Sequence, residues 1–391
     1  MSMRWFLFLI VASVSACSMQ NGVAPETSFQ NELVFAAARE GDLSELEIQV
    51  LVAGDADGET VFRFPQAWGP EEDLGALRGA LTVVDAESGD PLASDESNGS
   101  VTVVQASGQP IRLSWTVKQD YDGLPEWGVQ RVPGMRPVLR AGYASIIGHT
   151  VLPVIEGRDP AFVIRFDGFS SGAAFSQPST DGRSRPVTLS TATDSIYAFG
   201  DYAFSEPADS IVRAAVLGEW ALSNDDIVTA TSAVLATASS AFDDQLPSRY
   251  FVAFTPLPDV PNGSSVIGTS FTESFVILAT RNAAAENLEH TLIHEILHEW
   301  IPGPMGTTDE ATDPARMWFT EGFTEYYTQL VLLDSGRVSL EGFLANFNDL
   351  WAAYQTSPVQ TMPSGELLAH IWDSRETERL PYQRGALMAL S

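Results

Sequence analysis

The sequence EHTLIHEILHEW, residues 289–300, is the stretch around which the rest of the chain is organised. On a helix, residues four apart lie about 40° apart around the axis, so His294 and His298 point the same way, one turn apart. Two imidazoles placed like this can reach one metal ion at about 2.0–2.1 Å. Glu295 lies at the edge of the same face, where a carboxylate can act as a general base toward a water molecule. The stretch therefore predicts a metal-binding helix that also carries a base.

The alternative is that both histidines are ordinary, partly buried side chains of an amphipathic helix. The chain contains only five His, so chance rarely produces the pattern H-E-x-x-H, which is typical of zinc peptidases. Leucine and isoleucine at four positions of the stretch supply the apolar packing that a buried helix requires. His290 lies one turn before His294, and we expect it to neighbour the metal site rather than to bind the ion.

A second motif, MWFTEGFTEYY, follows at residues 317–327. Together, HEILHEW and WFTEGFTEYY resemble the gluzincin metallopeptidases, and among them the M61 glycyl aminopeptidase family, with the M1 aminopeptidases as relatives. The resemblance implies that Glu321 is the third zinc ligand beside His294 and His298, which leaves one open position on one Zn²⁺ per chain. Glu325, one turn later, can hydrogen-bond a ligand imidazole and fix its tautomer. The alternative for Glu321 is a solvated helix carboxylate.

A third segment, LPYQRGAL at residues 380–387, is similar to the Tyr-x-Lys/Arg-Gly segment of the same families. This similarity implies that Tyr382 donates a hydrogen bond to the oxyanion that forms during peptide hydrolysis. The alternative is a packed tyrosine at the start of a helix. Because Ser391 comes six residues after Gly385, where the related families continue into a helical or PDZ domain, we expect the catalytic domain to be truncated at its C-terminus.

The composition excludes several classes of protein. The 391 residues include 51 acidic and only 21 basic side chains, for a formal net charge of −30, and Lys118 is the only lysine. So acidic a surface repels nucleic acid. A hydrophobic content of 45% excludes a disordered chain, because such chains lack the apolar residues needed for a core. The length allows two domains.

Residues 1–17 have the pattern of a targeting segment, with Arg4 ahead of a short apolar run. VSAC at residues 14–17 resembles a bacterial lipobox, in which the cysteine becomes the lipidated first residue. Cys17 is the only cysteine, so no disulfide can form within the chain. The sequence thus predicts a lipoprotein of the bacterial cell envelope, and Ser18 favours the outer membrane, facing the periplasm. The alternative is an ordinary secretory signal in which this cysteine is a coincidence.

Three further segments follow the signal. Residues 18–30 form a polar tether. Apolar and polar residues then alternate with a period of two in residues 31–197, which predicts an antiparallel β domain. In residues 198–391, a helix that begins near SNDD (residues 223–226) is followed by strands, the H-E-x-x-H helix and further helices. This is the order of a thermolysin-like catalytic domain, so the predicted fold class is α+β.

The edge strand of such a catalytic domain lines the substrate cleft, which places Gly268 and Glu273 beside the substrate. We therefore predict a zinc-dependent metallopeptidase that hydrolyses peptide bonds and binds no nucleic acid. The M61 resemblance implies an aminopeptidase that prefers small N-terminal residues, with Glu273 as the anchor of the substrate α-amine. A zinc endopeptidase, a non-peptide amidohydrolase on the same site and an inactive zinc-binding lipoprotein are the alternatives.

Overall fold

The computed structural model describes residues 29–126, 132–169, 172–177, 179–260, 263–302, 316–367 and 369–391. The predicted signal peptide with Cys17 and most of the predicted tether lie outside these residues. Among the helices that are described, none combines the length and the apolar character needed to cross a bilayer.

The N-terminal region consists mainly of β-strands. A 3₁₀ turn (Leu74–Leu77) and two short helices, α1 (Gly148–Val151) and α2 (Leu189–Thr193), interrupt them. In chain order the strands are β1 (Glu32–Arg39), β2 (Asp42–Ala53), β3 (Glu59–Arg63), β4 (Thr82–Asp85), β5 (Ala93–Ser97), β6 (Ser100–Val104), β7 (Pro110–Lys118), β8 (Val138–Leu139), β9 (Tyr143–Ile147), β10 (Val154–Ile155), β11 (Ala161–Asp167), β12 (Ala173–Ala174), β13 (Ser179–Thr180), β14 (Arg183–Ser184), β15 (Val187–Thr188) and β16 (Ile196–Gly200).

The largest N-terminal sheet has the order β13-β14-β11-β1-β2-β7-β4, with β15 also paired to β11. Its pairings are antiparallel except for β1 with β11, which run parallel. The predicted period-two alternation sets the register, because every second side chain of β2 and β7 is buried. The buried residues that face each other across these strands are Leu46 and Val117, Ile48 and Trp115, Val50 and Leu113, and Val52 and Ile111.

The second region carries a five-stranded sheet and six helices within the described residues. Its elements are β17 (Ala203–Ser205), β18 (Val212–Val216), α3 (Asn224–Ala241), β19 (Tyr250–Leu257), β20 (Val266–Phe271), β21 (Ser274–Thr280), α4 (Ala285–Leu297), α5 (Met317–Asp334), α6 (Leu340–Thr356), α7 (Ser364–Leu367) and α8 (Arg375–Leu390). The sheet order is β17-β18-β19-β21-β20. Strand β20 is at the edge and pairs antiparallel with β21, whereas β18, β19 and β21 are parallel. This confirms the predicted edge strand.

Both faces of this sheet are buried. Phe254 and Ile277 pack on the side of α3 and α4. Phe251 and Leu278 face the opposite way and pack against Ile147 and other residues of the N-terminal region. A sheet covered on both faces contains nearly continuous apolar strands, as in β19 and β21, where every residue is buried.

Serine caps mark where three of the long helices begin. The Ser223 hydroxyl accepts a hydrogen bond from the Asp226 backbone N–H, and the Asp226 carboxylate accepts one in return from the Ser223 N–H, which confirms the predicted start of α3. At the start of α6 the Ser339 hydroxyl accepts a hydrogen bond from the Gly342 backbone N–H, without a reciprocal bond. Ser374 caps α8 with a reciprocal bond to Thr377. These caps satisfy backbone N–H groups that have no partner inside the helix.

Candidate metal centre

Helix α4 presents the two histidines of the H-E-x-x-H motif on one face. His294 and Glu295 are each only 6% exposed, and His298 follows at the helix C-terminus. The two imidazole rings lie 4.9 Å apart, nearly perpendicular to one another. The apolar residues of the helix hold it against the sheet and are all buried: Leu288, Leu292, Ile293, Ile296 and Leu297.

Helix α5 places the carboxylate of Glu321 between these imidazoles. Its Oε2 lies 3.1 Å from the His294 Nε2 and 3.6 Å from the His298 Nε2. Ligand atoms about 2.0–2.1 Å from a tetrahedral zinc ion are separated by about 3.3–3.4 Å. The Glu321 oxygen therefore lies at about this spacing from both imidazoles, and two His with one Glu form a donor set used in catalytic zinc sites.

Glu295 is the other acidic residue close enough to contribute a ligand, since ligand atoms of His294, Glu295 and His298 all lie within 4.8 Å of one another. The Glu321 oxygen, by contrast, faces both Nε2 atoms. Glu295 lies against the edge strand, where a Cβ added to Gly268 would be 2.2 Å from its Oε1. The glycine thus lets β20 approach the Glu295 side chain closely.

The Nδ1 atom of each histidine, on the side of the ring away from Glu321, contacts a neighbouring oxygen. The His298 Nδ1 donates a hydrogen bond to the backbone carbonyl of Ile301 at 3.0 Å, which orients the ring so that its Nε2 faces the Glu321 carboxylate. The His294 Nδ1 lies 3.6 Å from the Glu325 Oε2. The other Glu325 oxygen contacts the His290 Nε2 at 3.2 Å. The structure thus places Glu325 and His290 behind the His294 ring, on the side of its Nδ1.

Burial and charge act against each other on these groups. Burial lowers the pKa of His294, but Glu321 and Glu325 outweigh it and raise that pKa to about 9. Burial raises the pKa of Glu321, but His298 and His294 outweigh it and hold that pKa well below its usual range. Burial also raises the pKa of Glu295, although both histidines oppose the shift. The carboxylate between the imidazoles is thus ionised and suited to a cation.

Tyr382 of α8 reaches the same site. Its ring stacks on His294 at a centroid distance of 5.9 Å, which brings it beside the Glu321 carboxylate. Burial, followed by the charge of Glu321, raises the pKa of Tyr382 well above its usual value, so the hydroxyl keeps its proton. Tyr382 lies in the middle of α8, not at its start.

Two glycines that sequence reasoning missed bring α8 against α5. A Cβ built on Gly385 would lie 1.6 Å from the Trp318 carbonyl oxygen, and one built on Gly322 would lie 2.4 Å from the Gly385 Cα. The backbones of the two helices are therefore in contact. This close packing places Tyr382 of α8 near Glu321 of α5. The available signal was a glycine in each motif, one after Glu321 and one three residues after Tyr382.

Glu273 is the predicted site residue that the structure does not bring to the histidines. It lies in the turn between β20 and β21, with a φ of 51°. Its Oε2 accepts hydrogen bonds from the Arg249 Nε at 3.0 Å and the Gln177 Nε2 at 3.3 Å. A role for this carboxylate toward a substrate amine stays a prediction, since the carboxylate already has a cationic partner.

The sequence and the fold were compared with known proteins. The profile of the M61 glycyl aminopeptidase family matches residues 287–377, a range that runs from α4 into α8. No curated protein matches the chain. Among solved structures, an aminopeptidase N family protein from Idiomarina loihiensis aligns with a TM-score of 0.73 at 16% identity, covering 92% of this chain and 66% of that protein.

An M1 zinc metallopeptidase from Deinococcus radiodurans aligns with a TM-score of 0.55 at 17% identity, covering 92% of this chain and 80% of that one. A mutant of it, solved with a Tyr-Ser-Ala substrate, aligns with a TM-score of 0.54 at 18% identity, with the same coverage. These likenesses show the fold, and the chain spans just under two thirds of the Idiomarina protein. The predicted resemblance to M61 and M1 peptidases and the predicted fold class are confirmed.

Proposed function

We propose that this chain is a zinc-dependent metallopeptidase that hydrolyses peptide bonds. The observation that carries the proposal is the Glu321 carboxylate oxygen, which faces the Nε2 atoms of His294 and His298 at 3.1 and 3.6 Å. The family match over the same motifs supports it. His294, His298 and Glu321 would hold one Zn²⁺ per chain.

Zinc, when bound, supplies a Lewis acid that polarises a peptide carbonyl and makes water more acidic. The chain supplies the proton transfers. Glu295 is buried beside the ligand set, and its carboxylate takes a proton from the attacking water and later passes it to the leaving amine. The Tyr382 hydroxyl, which stays protonated, donates a hydrogen bond to the oxyanion that develops on the substrate carbonyl.

The family match favours an aminopeptidase with a preference for small N-terminal residues, and the Deinococcus relative was solved with a short peptide that it takes as substrate. An unpaired ammonium in a cleft is costly, so an aminopeptidase needs a carboxylate to receive it. Because Glu273 is already paired with Arg249 at 3.0 Å, an endopeptidase is the second candidate. Both use the same metal centre.

We also propose that the chain is a lipoprotein anchored through Cys17 in the bacterial cell envelope, at the outer membrane facing the periplasm. The support is the lipobox-like VSAC, which contains the only cysteine of the chain. Peptides and, through the lipid anchor, the membrane are then its partners.

Elemental analysis of the purified protein tests the metal assignment. We expect about one zinc per chain in the wild type and almost none in His294→Ala and Glu321→Ala. His370→Ala is the matched control, because the His370 side chain is 45% exposed and its imidazole pairs with Asp373. Equal zinc in all four proteins would refute the ligand set.

Replacing Glu295 by Gln tests the base. The amide keeps the size of the side chain but cannot accept a proton, so we expect zinc to stay bound while peptide hydrolysis falls by at least about 10³-fold. A Glu295→Gln variant that hydrolyses peptides at the wild-type rate would mean that another group is the base.

A further inference from the structure

The turn between β20 and β21 fixes the end of the edge strand that contacts the catalytic base. Within the described residues, β20 pairs with β21 alone, so its open side has no strand to hold it. Thr272 and Glu273 form the turn, and Gly268, four residues before Thr272, touches Glu295. At about 3.3 Å per residue, Gly268 lies about 13 Å along the strand from Thr272, so a displacement of the turn is transmitted to Gly268 through the strand.

One carboxylate of the N-terminal region hydrogen-bonds this turn, which the second region also holds through the Arg249 guanidinium and the Phe251 N–H, both bonded to Glu273. The Asp194 Oδ2 accepts hydrogen bonds from the Thr272 backbone N–H at 2.8 Å and from the Thr272 hydroxyl at 2.6 Å. Its Oδ1 lies 3.0 Å from the His149 Nε2. Asp194 is the residue at the C-terminal end of α2. Burial raises its pKa, but the bonds from His149 and Thr272 outweigh burial and lower it, so the carboxylate is ionised.

Other contacts from the same region act on the same strand and turn. The His149 ring stacks on Trp68 at 5.4 Å, with planes only 7° apart. Trp68 in turn stacks on Phe271, the last residue of β20, at 6.1 Å. The Gln177 amide donates to the Glu273 carboxylate at 3.3 Å.

We propose that Asp194 is a positioning residue through which the N-terminal region sets the place of the edge strand β20 against Glu295. This inference rests on the proposed peptidase function, because the strand then lines the substrate cleft. Asp194 itself touches neither substrate nor metal. It fixes the turn, the turn fixes the strand, and the strand aligns a peptide with the base and the metal ligands. Glu273 joins this attachment only through Gln177, since its ionic partner Arg249 lies in the second region.

The test compares two aspartates that make the same kind of contact in different places. Asp159 accepts hydrogen bonds from the Ser190 backbone N–H at 2.8 Å and from the Ser190 hydroxyl at 2.5 Å, within the N-terminal region. Asp159→Ala therefore removes a matched pair of bonds at the start of α2, the helix that ends at Asp194, and leaves the bonds from Asp194 to the turn in place. Thr272→Ala removes only the hydroxyl bond to Asp194, and Thr272→Ser retains it.

We expect Asp194→Ala to raise KM for a peptide substrate about tenfold, the factor that one charge-assisted hydrogen bond is worth, with kcat within about threefold of the wild type. Zinc content should not change. Thr272→Ala should raise KM in the same direction by less, and Thr272→Ser and Asp159→Ala should match the wild type. Equal KM values in Asp194→Ala and Asp159→Ala would overturn the proposal.

Hydrogen exchange separates this inference from the proposed function, because it needs no substrate. Backbone amides of residues 268–274 should exchange at least about tenfold faster in Asp194→Ala than in the wild type, and Asp159→Ala should leave them unchanged. Unchanged exchange there would refute the attachment of the turn even in an active peptidase. Faster exchange in a protein that cleaves no peptide would refute the function and leave the attachment of the turn in place.

Discussion

Replacing Gly385 by alanine should disable the site without touching any residue in it. The added methyl carbon would lie 1.6 Å from the Trp318 carbonyl oxygen and 2.7 Å from the Gly322 Cα, whereas ordinary contact begins at 3.4 Å. The carbonyl contact is therefore short by 1.8 Å. Since both neighbours are backbone atoms, α8 must move away from α5 by a distance of that order.

Two consequences follow from such a separation. Overpacking of this kind costs about 1–3 kcal/mol of unfolding free energy. The Tyr382 hydroxyl is also withdrawn from Glu321, and a displacement of about 1 Å at a reacting group lowers the rate about 10²-fold. We expect kcat to fall about 10²-fold while zinc content stays at the wild-type level, because His294, His298 and Glu321 do not lie on α8.

Peptide hydrolysis, elemental analysis and urea unfolding measure the three quantities. Gly365→Ala is the control, because within the described residues no atom lies within 4 Å of a Cβ built there. It should leave kcat unchanged. It should change the unfolding free energy by no more than the helix propensity difference of about 1 kcal/mol. A Gly385→Ala protein with the kcat and the urea midpoint of the wild type would refute the role of the glycine contact.

Three further predictions concern the donor, the substrate and the anchor. Tyr382→Phe should bind zinc and fold as the wild type does but lose about 10²–10³ in kcat, because one oxyanion donor is removed; a loss seen only in KM would contradict the assignment. Acetylating the N-terminus of a good peptide substrate should abolish cleavage by an aminopeptidase, and equal cleavage of both peptides would establish the endopeptidase. Cys17→Ala should be released into the periplasm while the wild type partitions into detergent, and equal partitioning would return residues 1–17 to an ordinary signal.

The metal helix was the part of the site that sequence could predict best, because the spacing of His294 and His298 follows from helix geometry alone. Glu321 and Tyr382 came from resemblance, since no local rule says that helices distant in the chain will meet. Their meeting depends on tertiary contacts, above all that between Gly322 and Gly385.

The sequence could not predict which strands pair with one another or which side chains contact one another in the fold. Alternating residues predicted the strands of the N-terminal region, but alternation does not say which strand lies beside which, so the parallel pair of β1 and β11 was not foreseen. Glu273 is a second example. The sequence shows its carboxylate but not that Arg249 and Gln177, distant in the chain, hydrogen-bond it.

The sheet that is buried on both faces has a consequence for how the chain unfolds. One face of β19 and β21 is covered by helices, and the other by residues such as Ile147 and Ile196 from the N-terminal region. Removing that region would leave Phe251, Val276 and Leu278 open to water, an apolar patch of the kind that drives aggregation. Each region has a core of its own, but the two regions also share this third one. We therefore expect them to melt in a single cooperative transition, and a cut between them to expose the shared core and cause aggregation rather than yield a smaller enzyme.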